Sequence, residues 1–315
     1  MSTADASPPP PPPPPTFELD RRALVRSFSR AALHYEQPAR LQRVVRQELL
    51  ERLGYFKLTP QRILDVGAGT GQAAAALHAR YAEAQVLAVD IAEGMLQAVP
   101  RVRWPWRRTP FARVCADARA LPLPASSVEV IYSNLMLQWC DQPDAVFREF
   151  ARVLRPGGVL LFSTFGPDTL HELRTAWAAS DSASHVSRFA DLQQLGDALT
   201  RAGLREPVMD REHYPLYYRD AHALMRELKQ LGARNATRDR SRGLTGRARM
   251  RTMIDAYERL RTDEGLPATY EVIFGAAFGA QGAASSAADS SAPGAPAASP
   301  REFAVPLSSV RSPRR

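Results

Sequence analysis

The chain has 315 residues, 45% of them hydrophobic and 23% charged, with a formal net charge of +8. That is the make-up of a globular protein of one large or two modest domains. No run approaches the roughly 18 apolar residues of a membrane span, which excludes that class. Two cysteines exclude a disulfide scaffold. Cys115 and Cys140 lack metal-ligand spacing, so no metal is expected, and the default compartment is the reducing cytoplasm.

Residues 1–18 read as a disordered tail. The first residues hold no Arg or Lys and no apolar core, which argues against a secretory signal or transit peptide. The run Pro8 to Pro15 favours polyproline II. Residues 19–61 form a predicted helical lid. Leu24, Phe28, Ala32 and Tyr35 recur on one helical face. Pro38 interrupts them, and Leu41, Val44, Val45, Leu49 and Leu53 carry a second amphipathic helix, stopped by Gly54.

Residues 62–165 alternate strand and helix. Predicted strands cover 62–66, 85–90, 113–117, 128–133 and 159–164, and predicted helices cover 73–80, 95–99 and 145–154. This order indicates an α/β domain with a largely parallel sheet. In residues 166–278, helices are expected at 169–178, 191–202, 221–231 and 247–261, and strands at 208–218 and 268–274. These give seven strands, with a helical insert at about 219–262 before the last. Residues 279–315 are rich in Ala, Ser, Pro and Gly and read as a second disordered tail.

The excess charge is local. Between Arg219 and Arg251 ten bases face three acids. Such a patch implies an acidic partner. It has no aromatic between Tyr218 and Tyr257, so it lacks a stacking platform and a nucleic-acid partner is not expected.

Ile63-Leu-Asp-Val-Gly-Ala-Gly-Thr-Gly71 joins the first strand to a helix through three alternating glycines. Such glycines allow a tight turn and close approach of a ligand to the backbone. Gln72 replaces the third glycine of a dinucleotide fingerprint, and no Gly-Lys-Ser/Thr ending makes a P-loop. Asp90, at the end of the next strand, is placed to accept both hydroxyls of a ribose. Asp117-Ala118, ending the third strand, can meet an adenine edge.

Asp65, Gly67, Asp90 and Asp117 are spaced as in class I S-adenosylmethionine-dependent methyltransferases, which the chain resembles from about Arg62 to Thr164. Pro124 to Asn134 and Arg152 to Gly158 look like later motifs of that superfamily. The implied fold is Rossmann-like, with the lid before it and the insert behind it. The implied cofactor residues are Asp65, Gly67, Ala68, Gly69, Gly71, Asp90, Ile91, Met95, Asp117, Ala118, Asn134 and Leu135. Met95 also reads as core packing.

The flanks narrow the resemblance. Phe28–Glu36 with Leu41-Gln42, Ser133–Cys140, Phe162–Arg174, Leu228–Asn235, Arg242–Arg247 and Tyr270–Gly275 resemble the malonyl-acyl-carrier-protein O-methyltransferases of biotin synthesis. The resemblance runs from about Val25 to Gly279. It implies methyl transfer from S-adenosylmethionine, as co-substrate, to the free carboxylate of a malonyl thioester on acyl carrier protein or coenzyme A. The ester then primes pimeloyl chain synthesis. The basic insert would dock the acidic carrier. A monomer is expected.

A malonyl carboxylate is ionised near neutral pH, so this chemistry needs no general base. His34 and His171 are therefore not assigned as bases. Arg174, Arg188 and Tyr35 are the candidates for positioning the carboxylate. Two rivals remain: a methyltransferase for another small acid or a quinone precursor, and a methyltransferase-fold assembly factor for a respiratory complex.

Overall fold

The computed structural model describes residues 18–99, 111–233 and 246–280. Residues 1–17 and 281–315 of the predicted tails lie outside these residues, as do Arg234, Arg238, Arg240 and Arg242 of the basic segment, whereas Gly279 and Ala280, expected in the second tail, lie within them.

Seven strands form one sheet in the order β3-β2-β1-β4-β5-β7-β6. Their ranges are β1 Arg62–Val66, β2 Gln85–Asp90, β3 Ala112–Cys115, β4 Val128–Ser133, β5 Leu154–Phe165, β6 Arg205–Tyr218 and β7 Leu266–Phe278. Neighbours from β3 to β5 pair in parallel, while β7 runs antiparallel between β5 and β6. Nine α-helices occur among the described residues: α1 Arg21–Ala31, α2 Arg40–Arg52, α3 Gln72–Arg80, α4 Glu93–Ala98, α5 Pro143–Val153, α6 His171–Ala178, α7 Leu192–Arg201, α8 Ala221–Gln230 and α9 Arg247–Glu258. None of them is long and apolar enough to cross a membrane.

Apolar runs without strict alternation mark strands covered on both faces. Ile63, Val130 and Leu161 face one core, shared with Val45 and Leu49 of α2, Leu77 of α3, Leu224 of α8 and Tyr257 of α9. Their chain neighbours Leu64, Ile131 and Leu160 face the other core, with Phe147 and Phe150 of α5 and Leu195 and Leu199 of α7. The basic insert and the α5–α7 pair therefore cover opposite faces of the sheet.

Three strands exceed their predicted length, β6 by starting at Arg205. β7 continues through Gly275, whose missing side chain admits Phe162: a Cβ there would lie 2.3 Å from the ring. β5 begins at Leu154, through the Pro156-Gly157-Gly158 stretch that precedes the predicted strand, because Gly157 and Gly158 pair with Gly279 beside the end of β7. Conversely, α6 starts at His171 and not Thr169, since Leu170 holds a left-handed φ of 54°.

Candidate active site

The Gly-rich turn sits at the carboxyl ends of β1 and β2, where open α/β sheets bind ligands. Gly67, Gly69 and Gly71 all have positive φ, at 77°, 55° and 78°. Gly67 and Ala68 donate to the Val89 carbonyl, which bends the turn against β2. A Cβ on Gly67 would lie 2.4 Å from Met136 Cγ, whereas one on Gly69 would meet nothing within 4 Å. The space above Gly69 is the floor of a cavity.

That cavity encloses about 850 Å³ of space, its open mouth included. Asp90 lies beside the turn. Its Oδ2 accepts from Gly69 N at 2.9 Å and its Oδ1 from Ala92 N at 2.7 Å. Burial raises its pKa, while these amides pull it down. Ten of the expected residues line the cavity: Tyr35, Gly67, Gly69, Asp90, Ile91, Met95, Asp117, Ala118, Asn134 and Leu135. Met95 lines the cavity and is also buried against Ala32 and Ala92, the core packing expected of it.

Asp65, Ala68 and Gly71 do not line it. Asp65 is buried beneath the turn, and its Oδ2 has no hydrogen-bond partner there. Burial first, and then the charge of Asp90, push its pKa up to about 7. Gly71 caps α3 in a left-handed conformation against Phe111 and Val99.

Asp117, expected to meet an adenine edge, is engaged by two arginines. Its Oδ2 accepts hydrogen bonds from Arg21 of α1 and from Arg119, and its Oδ1 accepts from Arg119 N at 3.1 Å. Arg119 also pairs with Asp141 at 3.2 Å. Arg21, Asp117, Arg119 and Asp141 all face the cavity, as do Phe28, Met136, Trp139 and Cys140. Sequence reasoning assigned neither these arginines nor Trp139. Trp139 falls in the family-like segment Ser133–Cys140, but Arg21 and Arg119 lie in none of the quoted segments, and a pairing 96 residues apart leaves no local trace.

Of the expected lid at 19–61, only the part before α2 covers the cavity. Phe28 meets Trp139 edge-on at 5.2 Å. Gly94 allows α1 to lie against α4, since a Cβ would sit 2.8 Å from that of Ser29. Glu36 hydrogen-bonds Thr70 of the Gly-rich turn. Tyr35 points inward, and burial together with Glu36 and Asp90 holds its phenol protonated. His34 is exposed. α2 instead contributes Leu41, Val45 and Leu49 to the sheet core.

Beyond β4, Leu135 adopts a positive φ of 48°. It is held there by Ser163, whose carbonyl and hydroxyl both accept from Leu135 N at 3.0 Å. Ser163 Oγ also donates to Asn134 Oδ1 at 2.9 Å. The strain sits at the cavity wall, a common place for it.

Arg174 and Arg188 are not in this cavity. Arg174 donates to the Pro167 and Thr169 carbonyls, each at 3.0 Å. Burial, and then the nearby Arg188 charge, lower its pKa. Arg188 lines a second cavity, and that cavity shares Cys140 and Asp141 with the first. The described part of the basic insert is partly neutralised: Arg219 and Arg226 pair with Asp220, and Arg249 with Asp181.

The strand order, the glycine turn and the acid at the end of β2 define a class I methyltransferase. Residues 64–162 match the family described as "Methyltransferase domain". The YcgJ protein of Bacillus subtilis has the same fold, with a TM-score of 0.53 and 17% identity over 75% of this chain and 99% of that one. More similar in sequence are two proteins named malonyl-[acyl-carrier protein] O-methyltransferase. That of Gallionella capsiferriformans is 47% identical over 83% of this chain and 92% of its own length. That of Methylovorus sp. is 49% identical over 82% and 89%. The chain belongs to the malonyl-[acyl-carrier protein] O-methyltransferase family.

Proposed function

We propose that the chain transfers the methyl group of S-adenosylmethionine to the free carboxylate of a malonyl thioester, carried on acyl carrier protein, in the biotin pathway. The observation that carries this reading is the wall shared by two cavities. Cys140 and Asp141 separate a nucleoside-type site from a site bearing Arg188. Donor and acceptor would then meet without crossing bulk water.

The residues suit the donor. Gly69 leaves room for a ligand, and Asp90 suits ribose hydroxyls. Phe28, Tyr35 and Trp139 offer aromatic faces that attract a sulfonium cation. When bound, the co-substrate supplies an electrophilic methyl group.

The acceptor is already an anion, so the chain has no proton to remove. Its work is alignment and exclusion of water. The Tyr35 hydroxyl, kept protonated, can donate to a carboxylate oxygen. Arg188 offers the bidentate fork. Cys140 is pushed up to about 12 by burial and by Asp117 and Asp141, so it stays a thiol and does not compete for the methyl group.

The test is transfer of labelled methyl groups by the purified protein to malonyl-carrier protein, with a quinone precursor as competitor. A base-labile methyl ester on the malonyl group is expected. Label on the quinone alone would overturn the reading. In cells, loss of the protein should create a biotin requirement, and a respiratory defect without one would favour an assembly factor.

A further inference from the structure

We propose that the second cavity holds a phosphopantetheine arm, with its phosphate between Arg148 of α5 and Arg201 of α7. The inference rests on the methyl-transfer reading above and names how the thioester is gripped.

The cavity has about 1240 Å³ of space, open mouth included. Its inner end is fixed by Gln138. That side chain donates to the Leu135 carbonyl at 2.6 Å and accepts from Thr164 Oγ1 at 3.2 Å. Leu135 lines the cofactor cavity, so this end abuts the site of transfer. Its outer end is cationic. Arg201 Nε donates to Asp144 Oδ1 at 2.7 Å, and Arg148 Nε donates to the Asp144 carbonyl at 3.2 Å. Both guanidiniums thus gather at the first turn of α5, and both residues are solvent-exposed.

Three arginines and two aspartates line the cavity. Asp141 is bridged to Arg119 of the neighbouring cavity and Asp144 to Arg201, which leaves the mouth attractive to an anion. The amide side chains of Gln142 and Gln194 and the ring of Phe189 also line the cavity. An extended arm with amide groups along its length, a carboxylate at one tip and a phosphate at the other end matches the amide, aromatic and cationic groups of this lining.

This geometry places the carrier on the α5–α7 face. The basic insert, expected from the sequence to dock it, packs on the other side of the sheet.

The test compares malonyl-pantetheine with malonyl-phosphopantetheine as methyl acceptors. The wild-type protein should prefer the phosphorylated arm in kcat/KM. In Arg148→Ala and Arg201→Ala that preference should shrink about tenfold, through KM, as expected for a lost charge-assisted contact. Each variant's malonyl-pantetheine rate serves as its internal reference for folding. A preference unchanged in both variants overturns the proposal, as does a preference lost instead in Arg249→Ala. Wild-type protein that methylates no malonyl thioester would remove the parent reading, and this one with it.

Discussion

Arg21 and Asp117 join the first helix to the end of the third strand across the mouth of the cofactor cavity. Their side chains are 37% and 28% exposed, so the pair is only partly screened by water. The pair ties α1 to the segment after β3 and is expected to act as a latch on that helix. Arg21→Ala should weaken S-adenosylhomocysteine binding about two- to fivefold, chiefly through faster dissociation. Stopped-flow binding measures this. A double-mutant cycle with Asp117→Asn separates the latch from direct ligand contact: the two losses should be strongly non-additive.

Two glycines of one turn should fail differently. Gly67→Ala forces a Cβ into Met136 at positive φ and should cost about 2–5 kcal/mol of stability. Gly69→Ala meets no protein atom and should cost only about 1–2 kcal/mol of backbone strain. Yet its methyl group intrudes on the cavity floor. Denaturant melts and calorimetry together should show Gly67→Ala as chiefly a folding defect and Gly69→Ala as chiefly a binding defect.

Asp65 predicts a pH dependence. Its pKa rises from 3.8 to about 7 on folding. Across that window the folded protein keeps a proton that the unfolded chain has released, so stability must fall as pH climbs through it. The melting temperature of the ligand-free protein should decline between about pH 4 and pH 7 relative to that of Asp65→Asn, which has no proton to lose there. Parallel curves for the two proteins would refute the assignment.

Arg174 and Arg188 should separate structure from substrate. Arg174→Ala leaves the Pro167 and Thr169 carbonyls without their donor and should lower stability by about 1–3 kcal/mol. Arg188→Ala should raise KM for the malonyl thioester. Thermal melts and steady-state kinetics of both variants check this.

Much of the fold could be read from local pattern. Ile63 to Gly71 carries strand, turn and helix start in nine consecutive residues, and Asp90 follows at the end of the next strand. What escaped was set by distant partners. Gly275 looks like a strand breaker until Phe162 is seen filling its place. Arg21 looks like a surface base until the fold brings Asp117 to it. The family-like segments pointed to the cavity walls at Asn134 and Leu135, but Arg174, chosen from one of those segments, turns its guanidinium onto backbone carbonyls.

The position of β7 also bears on synthesis. It enters the sheet between β5 and β6, and among the described residues β6 pairs with no other strand. As the polypeptide leaves the ribosome, the flank of β5 stays unpaired and β6 has no hydrogen-bonding neighbour until about residue 278 has emerged. From the completion of β5 until then the nascent protein carries unpaired strand edges, which expose it to aggregation and make truncation before its last strand damaging.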